Sequence, residues 1–200
     1  MSAATLFIDR DGTLIEEPVD EQVDSIAKVR FMPGVFAALS ELTRRGYRLV
    51  MVTNQDGLGT ASFPRVAFEE PQQFILEAFQ SQGIRFDAVF VCPHRPSDGC
   101  GCRKPKTGLL DQYLLEHAID RQASAVIGDR ETDLAMTRLF GGYGPHFYAA
   151  YEAAWPLDAG AASRVRLYNL YHVLNHLNLF GSGYLRQALD MVESLNAELI

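Results

Sequence analysis

The feature that most constrains the fold is an apolar run, Leu6–Phe7–Ile8, that stops at Asp9–Arg10–Asp11–Gly12–Thr13. Three apolar residues, two of them strand-favouring, read as a buried strand. The pentad then places two carboxylates where that strand opens into a glycine-containing turn. The pattern recurs along the chain. Tyr47 to Thr53 is a second buried strand and runs into Asn54–Gln55–Asp56–Gly57. Phe86 to Val91 is a third and feeds a cysteine loop, and Ser124 to Gly128 is a fourth that ends at Asp129. Between them lie amphipathic stretches. One is opened by Pro33–Gly34, carries Val35, Phe36, Leu39 and Leu42 on one face and ends at Gly46. The next runs from about Phe68 to Gly83. A third is capped by Thr107 and carries Leu109, Leu110, Tyr113, Leu114 and His117. Strands alternating with helices predict an α/β fold, a parallel sheet with helices on both faces. Ligands bind outside the carboxyl ends of such strands. There the four strand ends gather Asp9 and Asp11, Thr53, the cysteine loop and Asp129.

Two hundred residues at 48% hydrophobic and 22% charged predict one globular domain with an appendage, large enough for a real core. A formal charge of −7 without a Lys/Arg run excludes a nucleic-acid partner. Leu167 to Leu185 is uncharged and of membrane-spanning length, but His172, His176 and its Asn and Gly residues are costly in hydrocarbon. No membrane partner, no signal peptide and a cytoplasmic location are therefore expected. From about residue 134 Lys is absent, Val and Ile are scarce, and four of the five Asn occur. This tail reads as all-helical: a short helix from Pro145 through Phe147, Tyr148 and Tyr151 to before Trp155–Pro156, another over Ala161 to Leu179, and a last over Tyr184 to Leu195. Its apolar faces are expected to fold back near the fourth strand or to serve self-association.

The residues at the strand ends suit a phosphate monoester. An EF-hand calcium loop is excluded, because position six from Asp9 is Leu14 and position twelve is Asp20. A phosphate dianion is repelled by Asp9 and Asp11, so positive charge must be supplied. Mg²⁺ on Asp9, Asp11 and Asp129 supplies it through hard oxygen ligands. Lys104 adds a fixed charge, and Thr53 adds a hydroxyl beside strand-end backbone N–H groups. Asp9 can then attack phosphorus, while Asp11 protonates the leaving alkoxide and activates water. Singly, Thr53 also reads as a strand-end residue, Lys104 as a loop lysine and Asp129 as a helix cap. Their coincidence at four strand ends favours the site. Cys92, His94, Cys100 and Cys102 fall within eleven residues and form the Cys₃His set of a closed structural zinc site. That loop leads straight into Arg103–Lys104. His117, His172 and His176 have no such neighbours at ligand spacing.

Phe7-Ile-Asp-Arg-Asp-Gly-Thr-Leu14, Thr53-Asn-Gln-Asp-Gly-Leu-Gly59, Ser62-Phe-Pro64, Cys92-Pro-His94, Cys100-Gly-Cys-Arg-Lys-Pro105 and Gly128-Asp-Arg-Glu-Thr-Asp133 resemble the histidinol-phosphate phosphatases. These are haloacid-dehalogenase-type enzymes, in enterobacteria the N-terminal half of a bifunctional histidine-biosynthesis protein. The resemblance covers residues 1 to about 133. It implies a small phosphorylated metabolite as substrate, Asp9 as nucleophile and Asp11 as acid/base. Thr53, Asn54 and Lys104 become phosphate or substrate contacts, and Asp129 a Mg²⁺ ligand. Cys92, His94, Cys100 and Cys102 become the zinc ligands. Related heptose-bisphosphate phosphatases share the zinc loop but usually lack Gln-Asp-Gly-Leu-Gly, so histidinol phosphate is the expected substrate. Charge complementarity makes Glu17 the candidate for its amine.

The tail departs from that family, in which another strand follows the helix after Asp133. Asp133-Leu-Ala-Met-Thr137, Leu139-Phe-Gly-Gly142, Phe147-Tyr-Ala-Ala-Tyr151 and the stretch from Leu167 to Gly181 resemble the C-terminal helices of fructosamine kinases. The two resemblances overlap at Gly128–Asp133. The expected division is a phosphatase domain over 1–142, with its zinc loop at 92–102, and a helical tail over 143–200. A catalytically inert chimera that retains zinc is the alternative outside enzymes. A fructosamine kinase is disfavoured, since no nucleotide-binding glycine loop is present.

Overall fold

The four apolar runs pair side by side in a sheet with helices on both faces, the condition under which parallel strands are stable. The structure, a computed structural model, describes residues 3–120, 123–130, 160, 163–167, 169–170, 173–174, 183 and 185–198. Strands β1 (Thr5–Ile8), β2 (Arg48–Asn54), β3 (Phe86–Cys92) and β4 (Ala125–Ile127) form a parallel sheet in the order β3-β2-β1-β4. Phe7 of β1 stands opposite Val50 of β2 and Val126 of β4. All of β1 is buried. The expected α/β architecture is present.

The chain moves from β1 to β2 to β3 through α1 (Val35–Arg44) and α2 (Arg65–Ser81), then returns past β1 to β4 through α3 (Asp111–Glu116). Crossovers are right-handed, so reversing direction along the sheet sends α3 to the opposite face from α1 and α2. The aromatic contacts agree. Phe36 of α1 and Phe79 of α2 lie 4.9 Å apart, and Phe79 packs on Phe86 of β3 at 5.5 Å. On the other face Tyr113 of α3 meets Phe7 at 6.3 Å and Phe90 at 5.7 Å. Phe86 and Phe90 reach opposite faces despite their even spacing because the β2–β3 register shifts between Leu49 and Val50, leaving Asp87 as the extra residue.

Two helices differ from expectation. α2 starts at Arg65, after Pro64, rather than near Phe68. α3 starts at Asp111 rather than after Thr107. Residues 107–110 instead close a turn, Leu110 N–H donating to Thr107 C=O at 2.7 Å, while Gly108 N–H donates to Gly101 C=O in the cysteine loop at 3.1 Å. That bond ties the approach to α3 to the loop before it.

The chain divides into two compact units, Met1–Asp129 and Arg130–Ile200. In the second, residues 163–167, 169–170 and 173–174 are helical, and α4 spans Leu185–Glu198. Leu170, Val173 and Ala188 are buried together, with Met191 and Leu195 packed against them. The short helix expected around Phe147 to Tyr151, and Asp133, lie outside the described residues. No described helix is long and apolar enough to cross a membrane.

Candidate active site and cysteine loop

Asp9 is the first residue past β1, and its N–H still bonds the sheet, donating to Ile127 C=O at 2.8 Å. The carboxylate is therefore carried on rigid backbone between β2 and β4. Oδ1 accepts from Arg10 N–H at 2.7 Å and lies 2.8 Å from Lys104 Nζ. Asp9, Asp11 and Lys104 are all buried, and Arg10 is fully so. Buried charges are tolerated only when paired and hydrogen-bonded. Arg10 meets that condition: Nε and Nη2 grip Asp11 Oδ1 and Oδ2 at 2.9 and 3.0 Å, Nη2 also donates to Gln55 Oε1 at 3.0 Å, and Nη1 to Gln72 Oε1 at 3.1 Å. Beneath the guanidinium lies the Phe68 ring, 4.9 Å from Cζ. Gln55 Nε2 donates to Asp11 Oδ2 at 2.6 Å and to Thr53 Oγ1 at 2.8 Å. Thr53 is fully buried, and since its hydroxyl oxygen accepts from Gln55, its own O–H is left to donate.

Lys104 arrives from a distant part of the chain and is clamped there. Asn54 Oδ1 accepts from Lys104 N–H at 3.0 Å, and Asn54 Nδ2 donates to Lys104 C=O at 3.4 Å. Asn54 thus holds the backbone of the lysine. Arg103 donates to His94 C=O at 3.0 Å and forms an ion pair with Asp56. The β2 loop is stitched to the cysteine loop by Gln55 N–H to Cys92 C=O at 2.7 Å and Gly57 N–H to Pro93 C=O at 3.1 Å.

The ligand atoms of Cys92, His94, Cys100 and Cys102 all lie within 4.8 Å of one another. Cys92 Sγ is 3.7 Å from Cys100 Sγ and from His94 Nδ1, and 3.2 Å from Cys102 Sγ. Tetrahedral bonds of ~2.3 Å to sulfur place ligand atoms ~3.7 Å apart, so the set fits one small ion with little movement. Without a cation the thiols are in conflict. Burial pushes Cys92 up to about 12. Burial also opposes ionisation of Cys100, but hydrogen bonds from Cys102 and from backbone N–H groups outweigh it and lower Cys100 to about 7. A metal ion resolves this by replacing the protons.

Gly12, at φ +74°, packs directly on the Asp129 carboxylate, and a Cβ there would overlap its oxygens. The turn after β1 and the end of β4 are thus in contact, with Asp9, Asp11 and Asp129 at one end of the sheet. Those hard oxygen donors suit Mg²⁺, and three carboxylates against Arg10 and Lys104 leave a net negative site that favours a cation. In this arrangement the Asp11 carboxylate is engaged by Arg10 and Gln55. Glu17 is half-buried in the segment that follows the turn. The roles of Arg10, Gln55 and Gln72 do not follow from the sequence pattern. The one available signal was an arginine between two acids at the end of a buried strand.

The family model described as polynucleotide kinase 3 phosphatase matches residues 5–138, about two thirds of the chain. The chain belongs to this family of haloacid-dehalogenase-like phosphatases. Within the phosphatase family, it is 57% identical over 128 residues to the histidine biosynthesis bifunctional protein of Legionella pneumophila (strain Lens), a stretch covering 64% of this chain and 36% of that protein. The protein of the same name from Buchnera aphidicola subsp. Baizongia pistaciae is 46% identical over 156 residues, 78% of this chain and 44% of its own length. The chain thus spans less than half the length of these curated relatives. The D,D-heptose 1,7-bisphosphate phosphatase of B. bronchiseptica, solved with magnesium and phosphate, superposes with a TM-score of 0.64 at 28% identity, covering 78% of this chain and 89% of that one. The fructosamine kinase model matches residues 117–198, so the tail is similar to that family. The two models overlap over residues 117–138, which include β4 and Asp129.

Gly12→Ala should reduce both stability and any turnover, because it combines a strained φ, costing about 1–2 kcal/mol, with a clash against Asp129. Gly46→Ala, at φ +82° with no described atom within 4 Å of the added carbon, carries the strain alone. Urea unfolding of both variants isolates the contact: equal destabilisation would show that Gly12 does not seat Asp129.

Proposed function

We propose that this chain hydrolyses phosphomonoesters through an aspartyl-phosphate on Asp9, with histidinol phosphate as substrate and histidinol as product. The observation that carries this reading is the buried 2.8 Å contact between Lys104 Nζ and Asp9 Oδ1 at the end of the central strand. A lysine so placed neutralises the nucleophile's surroundings enough for a phosphate dianion to approach. An Asp9 carboxylate oxygen bonds to phosphorus as the ester P–O bond breaks, and the departing alkoxide takes a proton from Asp11. Asp11 then removes a proton from the water that cleaves the acyl phosphate, restoring both acids. Lys104 and the O–H of Thr53 hold phosphate oxygens meanwhile. The carboxylates of Asp9 and Asp129 would hold Mg²⁺ together with the main-chain carbonyl of Asp11, whose carboxylate is engaged by Arg10 and Gln55; when bound, the ion supplies positive charge against the dianion.

The zinc assignment for the four-ligand loop rests on its donor chemistry and spacing. Its role here is to position Lys104, two residues beyond Cys102, rather than to touch substrate. Support for histidinol phosphate comes from the identity to proteins named for histidine biosynthesis. The likeness to a heptose-bisphosphate phosphatase supports that second substrate.

Phosphate release from histidinol phosphate and from a heptose bisphosphate, measured side by side with Mg²⁺, decides between them. Asp9→Asn should abolish turnover while the protein still folds, at a lowered unfolding midpoint because Lys104 loses its buried counter-charge, and EDTA should silence the wild type. More than a few per cent activity in Asp9→Asn would mean that another group forms the covalent bond.

Cys100→Ser should lose bound zinc and most activity together, since Lys104 is then no longer held. Metal analysis finding no zinc in the purified wild type would overturn the structural-zinc role.

Glu17→Gln should raise KM for histidinol phosphate more than it lowers kcat, because only the substrate's amine is affected. Unchanged kinetics would remove Glu17 from the substrate site.

A further inference from the structure

Arg10 is a charged side chain with no exposure at all, between the two acids of the site in sequence. Burying a guanidinium costs several kcal/mol of desolvation, and a core of this size could be closed with an apolar residue instead. Its partners indicate what the cation does. The Nε and Nη2 edge of the guanidinium faces Asp11, and its remaining contacts go to the neutral amides of Gln55 and Gln72 and to the Phe68 ring. Gln55 is 45 residues away at the end of β2, and Gln72 is 62 residues away on α2. Gln72 Nε2 also reaches Met51 Sδ of β2 at 3.3 Å. Asp11 is thus braced from its own turn, from β2 and from α2.

The Gln55 amide can sit only one way. Its oxygen faces Arg10 Nη2 and its nitrogen faces Asp11 Oδ2 and Thr53 Oγ1. A flip would set donor against donor and oxygen against carboxylate. A carboxylate has about four acceptor positions. Arg10 Nε, Arg10 Nη2 and Gln55 Nε2 take three of them, one on Oδ1 and two on Oδ2. The position left over among the described residues is on Oδ1.

We propose that Arg10, with Gln55, is a positioning residue that fixes the Asp11 carboxylate and makes Oδ1 the oxygen that gives and takes the proton. This rests on the phosphatase reading of the site. The planar fork is what the task requires. Lysine offers a point charge that cannot hold both carboxylate oxygens at once.

The test separates positioning from mere support of the fold. In Arg10→Lys and Arg10→Gln full-length proteins, turnover of an alkyl phosphate should fall about 100-fold, since its leaving group needs a positioned acid. The first-turnover burst of 4-nitrophenolate from 4-nitrophenyl phosphate should stay within about threefold, because that leaving group departs unprotonated. Crystal structures of both variants should show the Asp11 carboxylate rotated from its wild-type position. A parallel fall of both substrates, or an Asp11 carboxylate unmoved in the variant structures, would overturn the proposal. A wild type that hydrolyses neither ester would overturn the phosphatase reading, while the variant structures would still decide whether Arg10 positions Asp11.

Discussion

The buried pair of Asp9 and Lys104 is the contact on which the site depends. An ionised carboxylate with so little exposure is costly to bury unless a cation sits beside it. Breaking such a pair on one side leaves an uncompensated charge worth about 3–5 kcal/mol. The chain meets this demand with a lysine 95 positions away in sequence, delivered by the loop that follows β3. Asn54 clamps the Lys104 peptide, Arg103 anchors to Asp56 and the His94 carbonyl, and the cysteine cluster gathers the loop to one point.

The sheet supplies the other half of the arrangement. Because β1 lies between β2 and β4, the residue that follows it emerges between two other strand ends rather than at a rim. Asp9 keeps a ladder bond to Ile127, so its main chain is as rigid as the strand itself. The neighbouring turn is compressed until Gly12 meets Asp129, which only a residue without Cβ permits. Charge, rigidity and close approach are thus set by three strands at once.

The second unit follows a different logic. Its described helices bury Leu170, Val173 and Ala188 among themselves, a small core of its own. The two family models meet over residues 117–138, so β4 and Asp129 belong to a stretch that fits both patterns. A strand of three residues beside β1 is enough to carry Asp129 to the site, and that is what this stretch provides.

The alternation of apolar runs with amphipathic stretches was legible as a parallel α/β sheet, because strand and helix periodicities are local properties of the chain. The positions of Asp9, Asp11, Thr53 and Asp129 at strand ends followed from the same pattern, and the four-ligand loop from spacing alone. Helix boundaries were less legible: Thr107 can cap a helix, but the pull of Gly101 on Gly108 makes a turn there instead. The partners of Arg10 were not legible, since Gln55 and Gln72 stand 45 and 62 residues away and neither carries a motif of its own. Nor was the task of Asn54, whose amide faces a lysine backbone brought in by the cysteine loop. By itself the sequence determined which chemical groups stand at the carboxyl edge, because that depends on periodicity along the chain. The tertiary structure decided which group each of them touches. That depends on distances between segments that only folding brings together.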